Sequence, residues 1–143
     1  MKILRGTSKR VKKRGQEGFL SIGGRISEGD EHRGGLPPGR LRLVMKYIET
    51  HLAEDLSLLI MANVLEMSPY HFGRLFKQST GLTPHQYLVR QRIMKARELL
   101  ADDRLSVAEI GRKLGFASHT HFSTVFRKLI GTTPREYRLK IAK

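Results

Sequence analysis

From Pro37 to the C-terminus, apolar residues recur every three or four positions. In LRLVMKYIETHL (41–52), Leu41, Val44, Met45, Ile48 and Leu52 form one stripe, and Arg42, Lys46 and Glu49 fall outside it. Helix starts are marked as regularly. Ser57 stands before LLIMANVLEM as a cap. Ser68 followed by Pro69 is a cap with proline at the first helical position, and Gly81 marks where that helix stops. Thr83-Pro84 repeats the start signal for a longer helix over 84–101, ~27 Å at about 1.5 Å per residue. Ser106, Ser118 and Thr133-Pro134 open three more. The pattern predicts an all-α fold of about seven helices.

Upstream of Pro37 the pattern fails. Residues 1–36 hold eight of the 14 glycines, nine basic residues and only scattered apolar ones. Such a segment buries too little apolar surface to offset its ordering entropy, so a largely disordered basic arm is expected. FLSI (19–22) is the one stretch in it compatible with a brief strand. The basic start MKILRGTSKRVKKRG has no apolar run after it, and no export signal is read there. The arm has three candidate roles: a DNA-tracking tail, a remnant of a linker, or non-native translated sequence.

The helical part contains its own copy. Leu56, Ser57 and Leu65 match Leu105, Ser106 and Leu114 at an offset of 49. One extra residue near Ala117 raises the offset to 50, after which Ser68, His71, Phe72, Phe76, Gly81, Thr83, Pro84 and Tyr87 match Ser118, His121, Phe122, Phe126, Gly131, Thr133, Pro134 and Tyr137. The shared residues are caps, a helix stop, a helix-start proline and apolar positions. Phe72, Leu75 and Phe76, and likewise Phe122, Val125 and Phe126, share one helical face and are expected in the core. Each copy is a short helix, a tight turn and a second helix of about a dozen residues, the outline of a helix-turn-helix. The expected organisation is 37–83 for the first copy, 84–101 for a linker helix and 102–143 for the second copy.

Charge turns that outline toward nucleic acid. With 27 Lys and Arg against 13 Asp and Glu the net charge is +14, which makes a polyanion the default partner, nucleic acid first and an anionic membrane surface second. The absence of cysteine excludes disulfides, zinc-thiolate sites and thiol nucleophiles, and fits a reducing cytosol; the expected location is cytoplasmic and nucleoid-associated. No apolar run approaches the length of a membrane span; with double-stranded DNA as the expected partner, no membrane is counted among the partners.

The two copies differ where they face outward. In the first, Tyr70, Gly73, Arg74 and Lys77 fall at i, i+3, i+4 and i+7 and form one exposed strip. In the second, the same strip reads Thr120, Ser123, Thr124 and Arg127, with His119 at its tip. If both helices enter grooves, one scaffold carries two different reading heads, suited to an asymmetric target.

The stretch LSVAEIGRKLGFASHTHFSTVFRKLIGTTPREYR (105–138) resembles the C-terminal signature of AraC/XylS-type bacterial transcription regulators, and residues 55–100 resemble the preceding half of that domain. The motifs are the GF turn at Gly115-Phe116, F-x-x-x-F-[KR], G-x-T-P-x-x-Y twice, and R-x-x-x-A-x-x-L-L at Arg92, Ala96, Leu99 and Leu100. The resemblance implies two helix-turn-helix subdomains joined by a long helix, with recognition helices entering successive major-groove segments of double-stranded DNA. It further implies activation of transcription, with RNA polymerase as a partner, while repression needs only occupancy of the site. Carried over by position, the base-reading candidates are Tyr70, Gly73 and Arg74, then His119, Thr120 and Thr124. Two departures are visible. Glu66 stands where the second copy has Gly115, and Gly111 weakens its helix by roughly 0.5–1 kcal/mol relative to Ala. Many members carry a separate ligand-sensing domain, which residues 1–36 are too few to form. The chain is therefore like the stand-alone members or is a fragment, and it shows no effector site.

Chemistry assigns the roles more finely. Arg74 can bind guanine O6 and N7 in bidentate fashion, the alternative being a solvated arginine paired with a carboxylate. Tyr70 can lie against a thymine methyl or pack on its own helix start. Lys77, Arg127, Lys128 and Arg135 suit phosphate contact, and backbone N–H groups near Ser57, Thr83 and Thr133 can add anion contacts. His119 and His121 point in different directions on a helix and lack a third ligand, so no metal site is read; the match of His121 to His71 suggests packing or capping. No Ser-His-Asp set or phosphate-cradling glycine loop is present, and neither an enzyme nor a cofactor is expected. The rival readings are a sequence-neutral nucleic-acid packaging or RNA-binding protein driven by charge, and an interaction fragment without a DNA role.

Overall fold

The computed structural model describes residues 34–142. Among them are seven α-helices and no strand: α1 Pro38–Thr50, α2 Leu58–Val64, α3 Pro69–Thr80, α4 Pro84–Leu99, α5 Val107–Lys113, α6 His119–Ile130 and α7 Pro134–Ile141. The all-α expectation holds. Five of the marked starts are N-caps in which the Ser57, Ser68, Ser106, Ser118 or Thr133 hydroxyl accepts a backbone N–H three residues on. Thr83 does the same for Gln86 N–H at 3.1 Å. α3 and α6 stop at Gly81 and Gly131, whose φ of 82° and 102° leave the helix in the left-handed region.

Leu36, which composition assigns to the arm, belongs to the described fold. Leu36 is buried, and its N–H donates to Ser79 Oγ at 2.8 Å, so the ordered structure includes residues just upstream of Pro37. Burial of the Leu36 side chain and its bond to Ser79 outweigh the local glycine content there. The FLSI stretch and the rest of the arm lie outside the described residues.

The chain divides into two compact units. The first holds residues 34–51 and Leu56–Tyr87; the second holds Leu52–Asp55 and residues 88–142. In the first, Leu41, Val44 and Ile48 of α1 are buried, as are Met61 and Ala62 of α2 and Phe72 and Phe76 of α3. In the second, Ile93, Ala96 and Leu100 form a core with Ile110, Leu114, Phe116, Phe122 and Phe126. Leu75 and Val125, expected with the phenylalanines, are half-buried at the edge of each cluster. Each fully buried Phe side chain contributes about 1.5–3 kcal/mol.

The repeat is geometric as well as sequential. The Phe76 and Tyr87 rings meet edge-on at 5.5 Å and 70°, and the Phe126 and Tyr137 rings at 5.6 Å and 71°. Their hydroxyls differ in partner. Tyr87 donates to Glu49 at 2.6 Å, while Tyr137 accepts from Arg97 Nε at 3.3 Å. Burial, with Glu49 adding to it, raises the Tyr87 phenol well above its ordinary value, so it remains a donor.

Candidate nucleic-acid interface

In each copy the second helix is presented by the same device. In the first, α2 and α3 are separated by residues 65–68, where Glu66 adopts φ 56°. In the second, α5 and α6 are separated by residues 114–118, where Gly115 adopts φ 88°. The left-handed turn is therefore made in both copies, although only one has the glycine suited to it.

That turn aims the reading strips at solvent. On α3, Tyr70 is 78% exposed, Arg74 and Lys77 are exposed, and Gly73 is partly covered. On α6, His119, Thr120, Thr124, Arg127 and Lys128 are exposed and Ser123 is half-buried. The sequence-predicted readers of each copy thus share one outward strip. His121 has a different job: its ring meets Phe116 edge-on at 5.7 Å, while its backbone N–H donates to the capping Ser118 Oγ at 3.0 Å.

Two residues of the expected phosphate set are already engaged. Thr133 N–H donates to Glu136 Oε1 at 3.0 Å and its hydroxyl accepts Glu136 N–H at 3.1 Å, a complete capping box. Thr83 makes the same pair of bonds with Gln86 at 3.0 and 3.1 Å. An N–H satisfied by its own helix is not free for phosphate, and at α7 the Glu136 carboxylate occupies the anion position itself. Its bonds to Thr133 hold that carboxyl below the usual glutamate range. Arg135 remains exposed beside this cap.

Several arginines counted in the net charge serve the fold instead. Arg92 is buried and donates from Nε to Leu52 O and from Nη2 to Glu54 O, each at 2.8 Å, with its guanidinium 5.7 Å from the Phe116 ring centroid. Burial lowers its pKa and Asp55 opposes the shift. Arg138 likewise donates to Leu100 O at 3.0 Å and Asp102 O at 3.1 Å, and Arg40 donates to Leu65 O. Composition cannot separate these structural cations from those on the strips. Only the carbonyls that receive them do so.

Among the described residues, no three His, Asp or Glu side chains are grouped closely enough to hold a metal ion, and no helix is long and apolar enough to cross a membrane.

The same arrangement occurs in known proteins. A family model for a helix-turn-helix domain matches residues 61–140. The transcriptional activator RhaS of Enterobacter sp. (strain 638) is 43% identical over 99 residues, which cover 69% of this chain and 36% of RhaS. The chain thus spans about a third of the length of that curated relative. The solved structure of an AraC-type regulator from Chromobacterium violaceum is 35% identical, covers 71% of this chain and 90% of its own, and superposes with a TM-score of 0.66. The DNA-binding domain of AdpA, solved in complex with a target DNA, is 33% identical with a TM-score of 0.65, covering 68% of this chain and 87% of its own. With more than half of its length matched and its two turns, caps and paired phenylalanines in place, this chain belongs to the AraC-type helix-turn-helix family.

Proposed function

We propose that this chain is the DNA-binding part of a sequence-specific transcription regulator, in which α3 and α6 each read one half of an asymmetric duplex site. One observation carries the proposal: two copies share their scaffold residues while their exposed strips differ, Tyr70 and Arg74 against Thr120 and Thr124. A protein that only neutralised phosphate would have no use for two distinct strips on repeated supports. Base reading falls to Tyr70, Gly73 and Arg74 in one half-site, and to His119, Thr120 and Thr124 in the other. Lys77, Arg127, Lys128 and Arg135 contact phosphate; Thr83 and Thr133 act as helix caps. The chain acts by binding rather than catalysis. Activation through contact with RNA polymerase is the mode assigned, by likeness to RhaS, a transcriptional activator by name.

Selection from a random duplex pool at fixed salt tests this reading. The expected product is one motif of about 20 bp with two dissimilar halves. A pool that yields no motif, with affinity set by salt alone, would leave a charge-driven packaging protein as the better account of the +14 net charge.

A further inference from the structure

The reading strip of α3 has a gap at Gly73, and the gap has an apolar floor. A β-carbon on Gly73 would lie 3.8 Å from Leu58 Cδ1 and 3.9 Å from Cδ2. Leu58, the first residue of α2, is 41% exposed, so its methyl groups reach the surface beside the strip although the helix buries Met61 and Ala62 further along. The second copy has no such feature. Its counterpart residues are Val107, which packs against the core of its own unit, and Ser123, whose hydroxymethyl group occupies the place left open at Gly73.

The surroundings narrow what this floor can meet. Arg74 and Lys77 stand on the same strip with Tyr70, so the approaching surface is anionic at its edges and apolar at one point. The major groove of DNA carries one apolar group among its hydrogen-bonding edges, the C5-methyl of thymine. Resting on the DNA reading proposed above, we infer that Gly73 and Leu58 together form a socket for a thymine methyl in the first half-site. Leu58 is thereby a specificity-determining residue that lies outside the reading helix. It explains how a residue with no side chain takes part in reading: Gly73 admits the methyl and Leu58 contacts it.

The test uses the duplex recovered by pool selection, with each thymine replaced in turn by deoxyuridine, which lacks only the methyl. Affinity is measured by fluorescence anisotropy at fixed salt. At one position in one half-site the replacement is expected to weaken binding about fourfold, the effect of one methyl withdrawn from water. That penalty should vanish in Leu58→Ala, and in Gly73→Gln, whose side chain rests on Leu58 at ordinary contact distance and covers the socket while the leucine is kept. It should persist in Leu59→Ala, a neighbouring exposed leucine. A recovered motif with no methyl-sensitive thymine overturns the socket and leaves DNA reading standing. So does a penalty that survives in both Leu58→Ala and Gly73→Gln, which would give the methyl contact to another side chain such as Tyr70. A pool that yields no motif overturns both readings.

Discussion

Gly115 and Arg92 are fitted to each other: a β-carbon on Gly115 would stand 2.8 Å from Arg92 Nη2 and 3.0 Å from Cζ, with Ala53 O also at 3.0 Å. The glycine is required twice, by its φ of 88° and by this approach. Gly115→Ala should therefore cost more than about 2 kcal/mol, since left-handed strain adds to displacement of a hydrogen-bonded, buried guanidinium. Urea denaturation gives the value; a loss below about 0.5 kcal/mol would show that Arg92 moves aside freely.

Glu66 makes the same turn in the first copy with a side chain unsuited to it, at φ 56°. Left-handed strain of about 1 kcal/mol or more is relieved in Glu66→Gly, and the added freedom of glycine in the unfolded chain offsets part of the gain. A net stabilisation of about 0.5 kcal/mol is expected as a raised denaturation midpoint. A lowered midpoint would mean that the Glu66 side chain stabilises the turn.

Helix propensity and packing make opposite predictions at Gly111. Alanine is the better helix former by about 1 kcal/mol, but a β-carbon there would stand 2.9 Å from Phe122 Cδ2 and 3.0 Å from Cγ. Phe122 is fully buried, so overpacking of about 1–3 kcal/mol outweighs the propensity gain, and Gly111→Ala should destabilise. Gly73→Ala is the contrast, because its β-carbon meets Leu58 only at 3.8 Å; it should stabilise α3. If Gly111→Ala raises the melting temperature as Gly73→Ala does, packing is not what decides at Gly111.

The capping boxes give the helices an acid dependence. Glu109 and Glu136 are held below the ordinary glutamate range by their bonds to Ser106 and Thr133. Their folded values lie below the unfolded value of about 4.3, so the contribution is present above that pH and is lost as pH falls through the folded values. Gln86 makes the same box without titrating. Helicity followed by circular dichroism from neutral pH into acid should fall less steeply in the double variant Glu109→Gln, Glu136→Gln. Superimposable curves would show that these caps do not govern acid stability.

Arg74 and Lys77 separate reading from clamping on one strip. Arg74→Ala should flatten base preference at one position of one half-site, a loss of about 1–3 kcal/mol against the preferred base. Lys77→Ala should weaken all duplexes alike and lower the salt slope by about one. Equal losses on preferred and scrambled duplexes for both variants would remove the distinction.

The Ser and Thr caps, the Gly stops and the paired phenylalanines were legible along the chain because each acts on neighbours three or four residues away. A duplicated set of such local signals is enough to determine seven helices, two helix-turn-helix copies and the outward strips, Tyr70 to Lys77 and Thr120 to Arg127. Other features depend on partners about 10 to 50 residues distant. Leu36 is held to α3 through Ser79, Arg92 leaves the pool of free cations through Leu52 and Glu54, and Gly111 is small because of Phe122. At Thr133 the missed signal was local: Glu136, three residues on, completes the capping box that occupies its N–H. Leu58 read simply as an apolar residue of a short helix, and only its placement over the gap at Gly73 gives it a part in the reading surface. Periodicity reports which face a residue occupies. What lies against that face is set by packing between segments, so it was decided by the tertiary structure alone.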